Sequence, residues 1–127
     1  GLENTFFDNV TGLDPEESGT KINYSSATDL AELTKALLKQ PLIWEISATP
    51  SYNNYGPELT NTNKLLCEIS CIFVGKTGYT EDAGGCMLLV LKAPKNSGYL
   101  VNVILGAKDR FGATRQLVNW TKEAYNW

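Results

Sequence analysis

The residues with the clearest chemical potential are a lysine, a threonine and a glycine in succession, Lys76-Thr77-Gly78, inside an apolar and strand-like stretch. An ammonium group and a hydroxyl on adjacent residues can together hold a carboxylate. The glycine lets a ligand lie against the backbone, where an N–H group can face a developing oxyanion. The tripeptide therefore indicates a site that binds a carboxylate and stabilises negative charge beside it.

The chain contains no histidine, which removes several mechanisms. It cannot form a Ser-His-Asp triad, a Cys-His dyad or a zinc site with a histidine ligand. A serine enzyme without histidine has to use lysine or a carboxylate as its base, and Lys76 belongs to a motif of that chemistry.

Three other short patterns match the letters of functional motifs but are weaker evidence for a site. Ser18-Gly19-Thr20-Lys21 has the letters of Ser-x-x-Lys but lies in a loop, whereas that motif needs both side chains on one helical face. Ser51-Tyr52-Asn53 mimics Ser-x-Asn within another loop. Gly75-Lys76-Thr77 could end a phosphate-binding loop, but position 70 is serine, not glycine, and no helix follows. We expect none of the three to act as its letters suggest.

Composition narrows the class of protein. The chain has 127 residues, 43% hydrophobic and 20% charged, which is typical of one globular domain. Its net charge of −3 argues against nucleic acid as a partner. It has no apolar run near the length of about 20 residues that a membrane span needs, and it does not open on a signal peptide.

The three cysteines, Cys67, Cys71 and Cys86, allow at most one disulfide. Cys67-x-x-x-Cys71 lacks a fourth ligand for zinc. We expect small core residues rather than a metal site, and no cofactor.

The first half of the chain reads as loop, helix, strand and loop. Residues 1–24 are rich in turn formers, with turns at Gly12 and Gly19. Ser26-Ala27-Thr28-Asp29 is a capping box, with Asp29 reaching back to the helix start. The following helix ends before Pro41, residues 42–49 are predicted as a short strand, and residues 51–57 as a loop. The inward face of the helix is predicted to carry Leu30, Leu33, Thr34, Leu37 and Leu38.

The second half reads as three strands and a helix. Strands are predicted over 72–80, 85–93 and 99–105, joined by turns at 81–84 and 94–98. Such short connections imply an antiparallel meander. A final helix over 113–125 is predicted to present Leu117, Trp120, Thr121 and Ala124 on one stripe. The fold class is therefore α+β, a three-stranded antiparallel meander flanked by helices.

With these elements in place, the chain resembles the D-alanyl-D-alanine carboxypeptidases, low-molecular-mass penicillin-binding proteins of the serine peptidase class. The similarity covers nearly the whole chain and about half of that family's catalytic domain. It implies that residues 1–127 form a single domain, the C-terminal part of a catalytic domain with a penicillin-binding or β-lactamase-like transpeptidase fold. The similar blocks are residues 1–14, 25–31, 61–66, the Lys-Thr-Gly run with its sequel over 76–86, and 103–107.

The resemblance implies roles for individual residues. Lys76 and Thr77 would bind the C-terminal carboxylate of a peptide ending in D-Ala-D-Ala, and Gly78 would let it approach the strand. The N–H of Tyr79 would be one of two oxyanion donors, and Thr80 would lie beside the ligand. Glu81 and Asp82 are expected to face water, Gly84 and Gly85 to serve the turn and the next strand, and Ser26 and Asn63 to be structural.

The implied function is the carboxylate-binding and oxyanion part of a serine carboxypeptidase that trims cell-wall peptides outside the cytoplasm, in the periplasm or at the cell surface. Expected partners are the stem peptide of peptidoglycan or a β-lactam, and an N-terminal half that carries the nucleophilic serine. Two alternatives stay open: a non-catalytic module derived from the fold, and an unrelated α+β interaction domain.

A half-domain is also expected to expose apolar strand positions and an unpaired strand edge, which favours a homodimer or a swapped oligomer. The strand positions concerned are Val90, Leu91, Val101, Val103 and Leu105.

Overall fold

A computed structural model describes residues 1–15 and 22–125. The predicted Ser18-to-Lys21 pattern and the turn at Gly19 lie outside the described residues. The helices are α1 (Ala27–Leu37), α2 (Pro41–Ala48) and α3 (Arg110–Ala124), with short 3-10 helices at Lys64–Cys67 and Pro94–Asn96. The strands are β1 (Ser51–Tyr52), β2 (Leu59–Thr60), β3 (Ile72–Thr80), β4 (Gly84–Lys92) and β5 (Tyr99–Ala107).

The main sheet is the predicted antiparallel meander, in the order β3-β4-β5. Lys76 pairs with Leu88 and Thr80 with Gly84, so that a three-residue turn joins β3 to β4. Gly84 has a φ of +64°, a conformation that glycine adopts at little cost. Because β3 is the first strand in this order, one of its edges has no neighbour in the described sheet. The α+β class and the meander are confirmed.

Two apolar clusters cover the two faces of this sheet, as the alternation of strand side chains requires. One cluster joins alternate residues of β4 to the 3-10 helix at Lys64–Cys67 and to α3. The other packs Trp44 of α2 against Val74 and Val90. The sheet is therefore a middle layer between helices. The first cluster consists of Leu65, Met87, Leu89, Leu91 and Val118.

Residues 42–49 are not a strand but lie in helix α2, so this prediction was wrong. Pro41 occupies the first turn, where its fixed φ favours a helix start and its missing N–H costs nothing. Trp44 is buried against Phe73, with ring centroids 5.6 Å apart, whereas Ile46 is 64% exposed. A short apolar run fits a helix and a strand equally well, and the proline was the signal that decides. Residues 51–60 form the small hairpin β1-β2, so the loop predicted over 51–57 is wrong at residues 51 and 52, which lie in β1.

Helix α3 begins three residues earlier than predicted. Asp109 is its N-cap, accepting a hydrogen bond from the Gly112 N–H at 2.9 Å. The buried side of the helix carries Thr114, Val118 and Thr121, whereas Trp120 is 55% exposed. The predicted stripe was right at Thr121, which is buried, and wrong at Trp120 and Ala124, which are exposed.

The capping box before α1 is only half formed. Ser26 Oγ accepts from the Asp29 N–H at 3.1 Å, as predicted. The Asp29 carboxylate does not reach back to the helix start but accepts from the Asn4 N–H at 2.8 Å and the Thr5 hydroxyl at 2.7 Å. This buried carboxylate therefore ties the N-terminal segment to α1.

The cysteines are all free, with Cys67 exposed and Cys71 and Cys86 partly buried. The expectation of a core residue is thus wrong for Cys67, whereas Cys71 packs against the first cluster. Within residues 1–15 and 22–125 no cluster of histidine, cysteine or acidic residues could hold a metal ion. Of the helices described, none has the length and apolarity to cross a membrane.

The exposure expected for the half-domain is only partly observed. Val90 and Leu91 are fully buried by the helices, whereas Leu105 is 42% exposed. An open groove of about 530 Å³ between α2 and the β1-β2 hairpin adds apolar surface from Leu42 and Ile46. Association through such surface stays a prediction.

Candidate functional site

The Lys-Thr-Gly motif lies on β3, an outer strand of the sheet with a free edge. Successive side chains of a strand point to opposite faces, so Lys76 and Thr77 do not lie side by side as the sequence suggested. Lys76 is exposed, whereas Thr77 is only 7% exposed. A ligand that both side chains contact therefore has to lie along the open edge of β3, between the two faces.

The Lys76 ammonium donates a hydrogen bond to the carbonyl oxygen of Thr77. In an antiparallel strand the N–H and C=O of one residue point to the same side, and alternate residues share that side. If the Thr77 carbonyl faces the open edge, the N–H of Tyr79 faces it as well. Tyr79 is 68% exposed, so its side chain is largely uncovered by the described residues.

The Thr77 hydroxyl lies 2.6 Å from the hydroxyl of Thr62. Thr62 belongs to the segment Asn61-Thr62-Asn63, which both asparagines hold in place. The Asn61 side-chain amide donates to two carbonyls at the end of α2, those of Ser47 and Thr49, at 3.1 and 3.0 Å. The Asn63 side chain accepts from the Leu65 N–H at 3.1 Å and caps the 3-10 helix, as expected of a structural residue.

Gly75 permits the close contact between this segment and β3. A Cβ at Gly75 would lie 2.5 Å from Asn63 Nδ2 and 2.9 Å from Leu89 Cδ1. It would also lie 3.2 Å from the backbone oxygen of Leu88. The glycine before Lys76 is therefore required for packing.

We expect Gly75→Ala to lower the free energy of unfolding by about 1–3 kcal/mol, because the methyl group overpacks a filled site. Gly78→Ala is the matched control, since a Cβ there would meet only Cys86 Cβ, at an ordinary 3.5 Å. Denaturant unfolding of both variants measures the difference. Equal stability of the two variants would contradict the role assigned to Gly75.

Arg110, which no sequence pattern singled out, reaches the motif from the first turn of α3. Its Nη1 donates to the carbonyl oxygen of Gly78 at 2.9 Å, and its guanidinium lies 5.0 Å from the Phe111 ring centroid. The helix had been expected to start at residue 113, which left Arg110 in a loop. Recognising Asp109 as an N-cap would have placed Arg110 at a helix start facing the sheet.

The remaining predicted residues belong to the turn. The Thr80 hydroxyl accepts from the Ala83 N–H at 3.0 Å, so it is already engaged in closing the turn. Glu81 and Asp82 are exposed, as expected. Gly85 packs against the end of β5, where a Cβ would lie 2.5 Å from the Ala107 carbonyl oxygen.

A nucleophile was expected to be absent from this chain. Across residues 1–15 and 22–125, no serine hydroxyl is hydrogen-bonded to a lysine. Ser51 lies exposed in β1, paired with Thr60, far in sequence from any lysine. Ser18 falls outside the described residues.

The family model described as D-alanyl-D-alanine carboxypeptidase matches residues 1–109. The chain belongs to this family. It is 34% identical to the D-alanyl-D-alanine carboxypeptidase DacF of Bacillus subtilis over 98% of this chain and 32% of that protein. It is 33% identical to the D-alanyl-D-alanine carboxypeptidase DacA of Escherichia coli over 94% of this chain and 29% of that protein. The chain thus spans about a third of the length of these relatives.

Solved structures agree with this family. Penicillin-binding protein D2 of Listeria monocytogenes, in a cefotaxime-bound form, superposes with a TM-score of 0.78 at 28% identity. The match covers 91% of this chain and 47% of that one. The similarity identifies the meander and its helices as part of the penicillin-binding protein fold, and it rules out the alternative of an unrelated interaction domain.

Proposed function

We propose that this chain supplies the carboxylate-binding and oxyanion-stabilising part of a serine D-Ala-D-Ala carboxypeptidase, which acts on peptidoglycan stem peptides outside the cytoplasm. The observation that carries the proposal is the position of Lys76 and Thr77 on either side of an unpaired strand edge, in a member of this family. Residues 1–127 would be one domain, the C-terminal part of the catalytic domain.

The Lys76 ammonium and the Thr77 hydroxyl would hold the terminal carboxylate of the substrate. A peptide chain lying antiparallel to the edge of β3 would bring its end between the two side chains, with Gly78 leaving room for it. The ammonium already reaches the carbonyl of the neighbouring Thr77, so little movement would bring it to a ligand at the edge. An ionised acceptor makes such hydrogen bonds about twice as strong as neutral ones.

The Tyr79 N–H would stabilise the oxyanion that forms when the scissile carbonyl is attacked. Arg110 would support this role through the carbonyl end of the same peptide group. In a trans peptide the Gly78 carbonyl and the Tyr79 N–H point in opposite directions, and the guanidinium contacts the carbonyl. A cation on the carbonyl polarises the peptide group and strengthens its N–H as a donor.

The reaction itself would need a serine from outside this chain. Its oxygen would attack the carbonyl of the penultimate D-alanine, and a base would take the hydroxyl proton. The amide C–N bond would break, the terminal D-alanine would leave as a protonated amine, and water would hydrolyse the resulting ester to restore the serine. A β-lactam would acylate the same serine through opening of its ring amide.

A labelling experiment tests this proposal on two proteins. The complete gene product should hydrolyse a D-Ala-D-Ala peptide and be labelled covalently by a fluorescent penicillin. The isolated 127-residue chain should show no label, because the carboxylate and oxyanion groups alone supply only weak residual catalysis. Stoichiometric label at Ser18 or Ser51 of the isolated chain would contradict the assignment of the nucleophile.

The same experiment distinguishes the non-catalytic module. A complete product that binds a D-Ala-D-Ala peptide without hydrolysing it, and that takes no label, would support a scaffold that keeps the Lys-Thr-Gly edge only for binding. Hydrolysis by the complete product would exclude it.

A further inference from the structure

The Thr62 hydroxyl is the hydrogen-bond partner of the Thr77 hydroxyl, 2.6 Å away, within the described residues. Thr77 is 7% exposed, so its hydroxyl has little access to water and its orientation depends on protein neighbours. Thr62 is exposed. The contact thus joins a surface residue to a side chain that the proposed function assigns to substrate binding.

Hydrogen bonds of the two flanking asparagines fix the backbone on both sides of Thr62. Asn61 is bonded through its side chain to the end of α2 and through its backbone N–H to the Pro50 carbonyl at 2.8 Å. Its side-chain oxygen also accepts from the Asn63 N–H at 2.8 Å. Asn63 in turn packs against Gly75.

The number of protons that each group can donate determines which threonine is the donor in this hydrogen bond. A threonine hydroxyl has one proton to donate and can accept two hydrogen bonds, whereas an ionised carboxylate only accepts. When Thr77 binds a carboxylate, its single proton has to point to that ligand. Thr62 must then donate to Thr77 Oγ1, which leaves the Thr77 proton directed away from Thr62.

We propose that Thr62 is a positioning residue that orients the Thr77 hydroxyl toward the carboxylate of the substrate. The inference rests on the proposed function, since it concerns the same site. Without Thr62, the Thr77 hydroxyl would be free to rotate, and the carboxylate would compete with backbone acceptors for its proton. The loss of Thr62 would therefore slow acylation, the step in which the terminal D-alanine is still attached.

The test uses the complete gene product with three variants. Thr62→Val keeps the branched shape but removes the hydroxyl, Thr62→Ser restores the hydroxyl, and Thr60→Val changes an exposed threonine two residues away. We expect Thr62→Val to lower kcat/KM for a D-Ala-D-Ala peptide by about threefold to tenfold, the effect of one lost neutral hydrogen bond. Thr62→Ser and Thr60→Val should stay within about twofold of the wild type.

A second measurement separates positioning from a merely structural role. After acylation the terminal D-alanine has left with its carboxylate, so Thr62→Val should leave the hydrolysis rate of the acyl-enzyme unchanged. In a Thr77→Val background, Thr62→Val should have no further effect on kcat/KM.

Each outcome decides between the two proposals. An active wild type with an unaffected Thr62→Val, or with acylation and deacylation slowed alike, would overturn the role of Thr62 alone. A wild type without activity would overturn the proposed function and this role together.

Discussion

Lys76→Ala in the complete protein is expected to lower kcat/KM for a D-Ala-D-Ala peptide by roughly ten- to a hundredfold. The change removes a charge-assisted contact to the substrate carboxylate, worth about 1.5–3 kcal/mol. The side chain is exposed and bonded only to the Thr77 carbonyl in the described structure, so the fold should tolerate its loss. The rate of penicillin acylation should fall in parallel, because the β-lactam carboxylate would use the same ammonium.

Two control variants separate the lysine charge from other effects. Lys76→Met keeps an unbranched apolar stem and removes only the ammonium, so it should lose about as much as Lys76→Ala. Glu81→Ala removes an exposed charge in the turn after β3 and should change little. Equal losses for Lys76→Ala and Glu81→Ala would show that the roles around the motif are assigned wrongly.

The strands of this fold could be predicted closely because their signals are local. Apolar runs over β3, β4 and β5 are bounded by turn residues, and three predicted strands fall within one or two residues of those observed. Helix α2 could not be separated from a strand by its apolar residues, because both of its possible faces contain them. Pro41 was the local signal for a helix start, whereas the packing of Trp44 on the sheet is a tertiary contact that no local pattern contains.

The candidate site was predictable in its residue types but not in its arrangement. The motif residues were found from their letters, whereas their separation onto two faces follows only from the strand. The partners Thr62 and Arg110 lie 15 and 32 positions from the residues they contact, Thr77 and Gly78. Contacts over such separations depend on how the 3-10 helix and α3 pack on the sheet. Thr62 also lies between Asn61 and Asn63, and the sequence did not predict the hydrogen bonds of these two side chains.

Arg110→Ala in the complete protein is expected to slow both acylation and hydrolysis of the acyl-enzyme, with a loss in kcat/KM of roughly ten- to a hundredfold. The guanidinium contacts the carbonyl of the peptide whose N–H belongs to Tyr79, and an oxyanion forms in both steps. Arg110→Lys should restore little, because an ammonium lacks the planar donors that reach Gly78 while stacking on Phe111.

Arg115→Ala is the matched control for this prediction. Arg115 lies five residues further along α3 and is 45% exposed, with Nη2 2.7 Å from a carboxylate oxygen of Glu68. Losing an exposed ion pair costs at most about 1 kcal/mol of stability, so activity should stay near the wild type. Burst experiments that resolve the two chemical steps decide the mode of action. If Arg110→Ala slowed acylation alone, the arginine would act on the substrate carboxylate, and its assignment to the oxyanion peptide would be wrong.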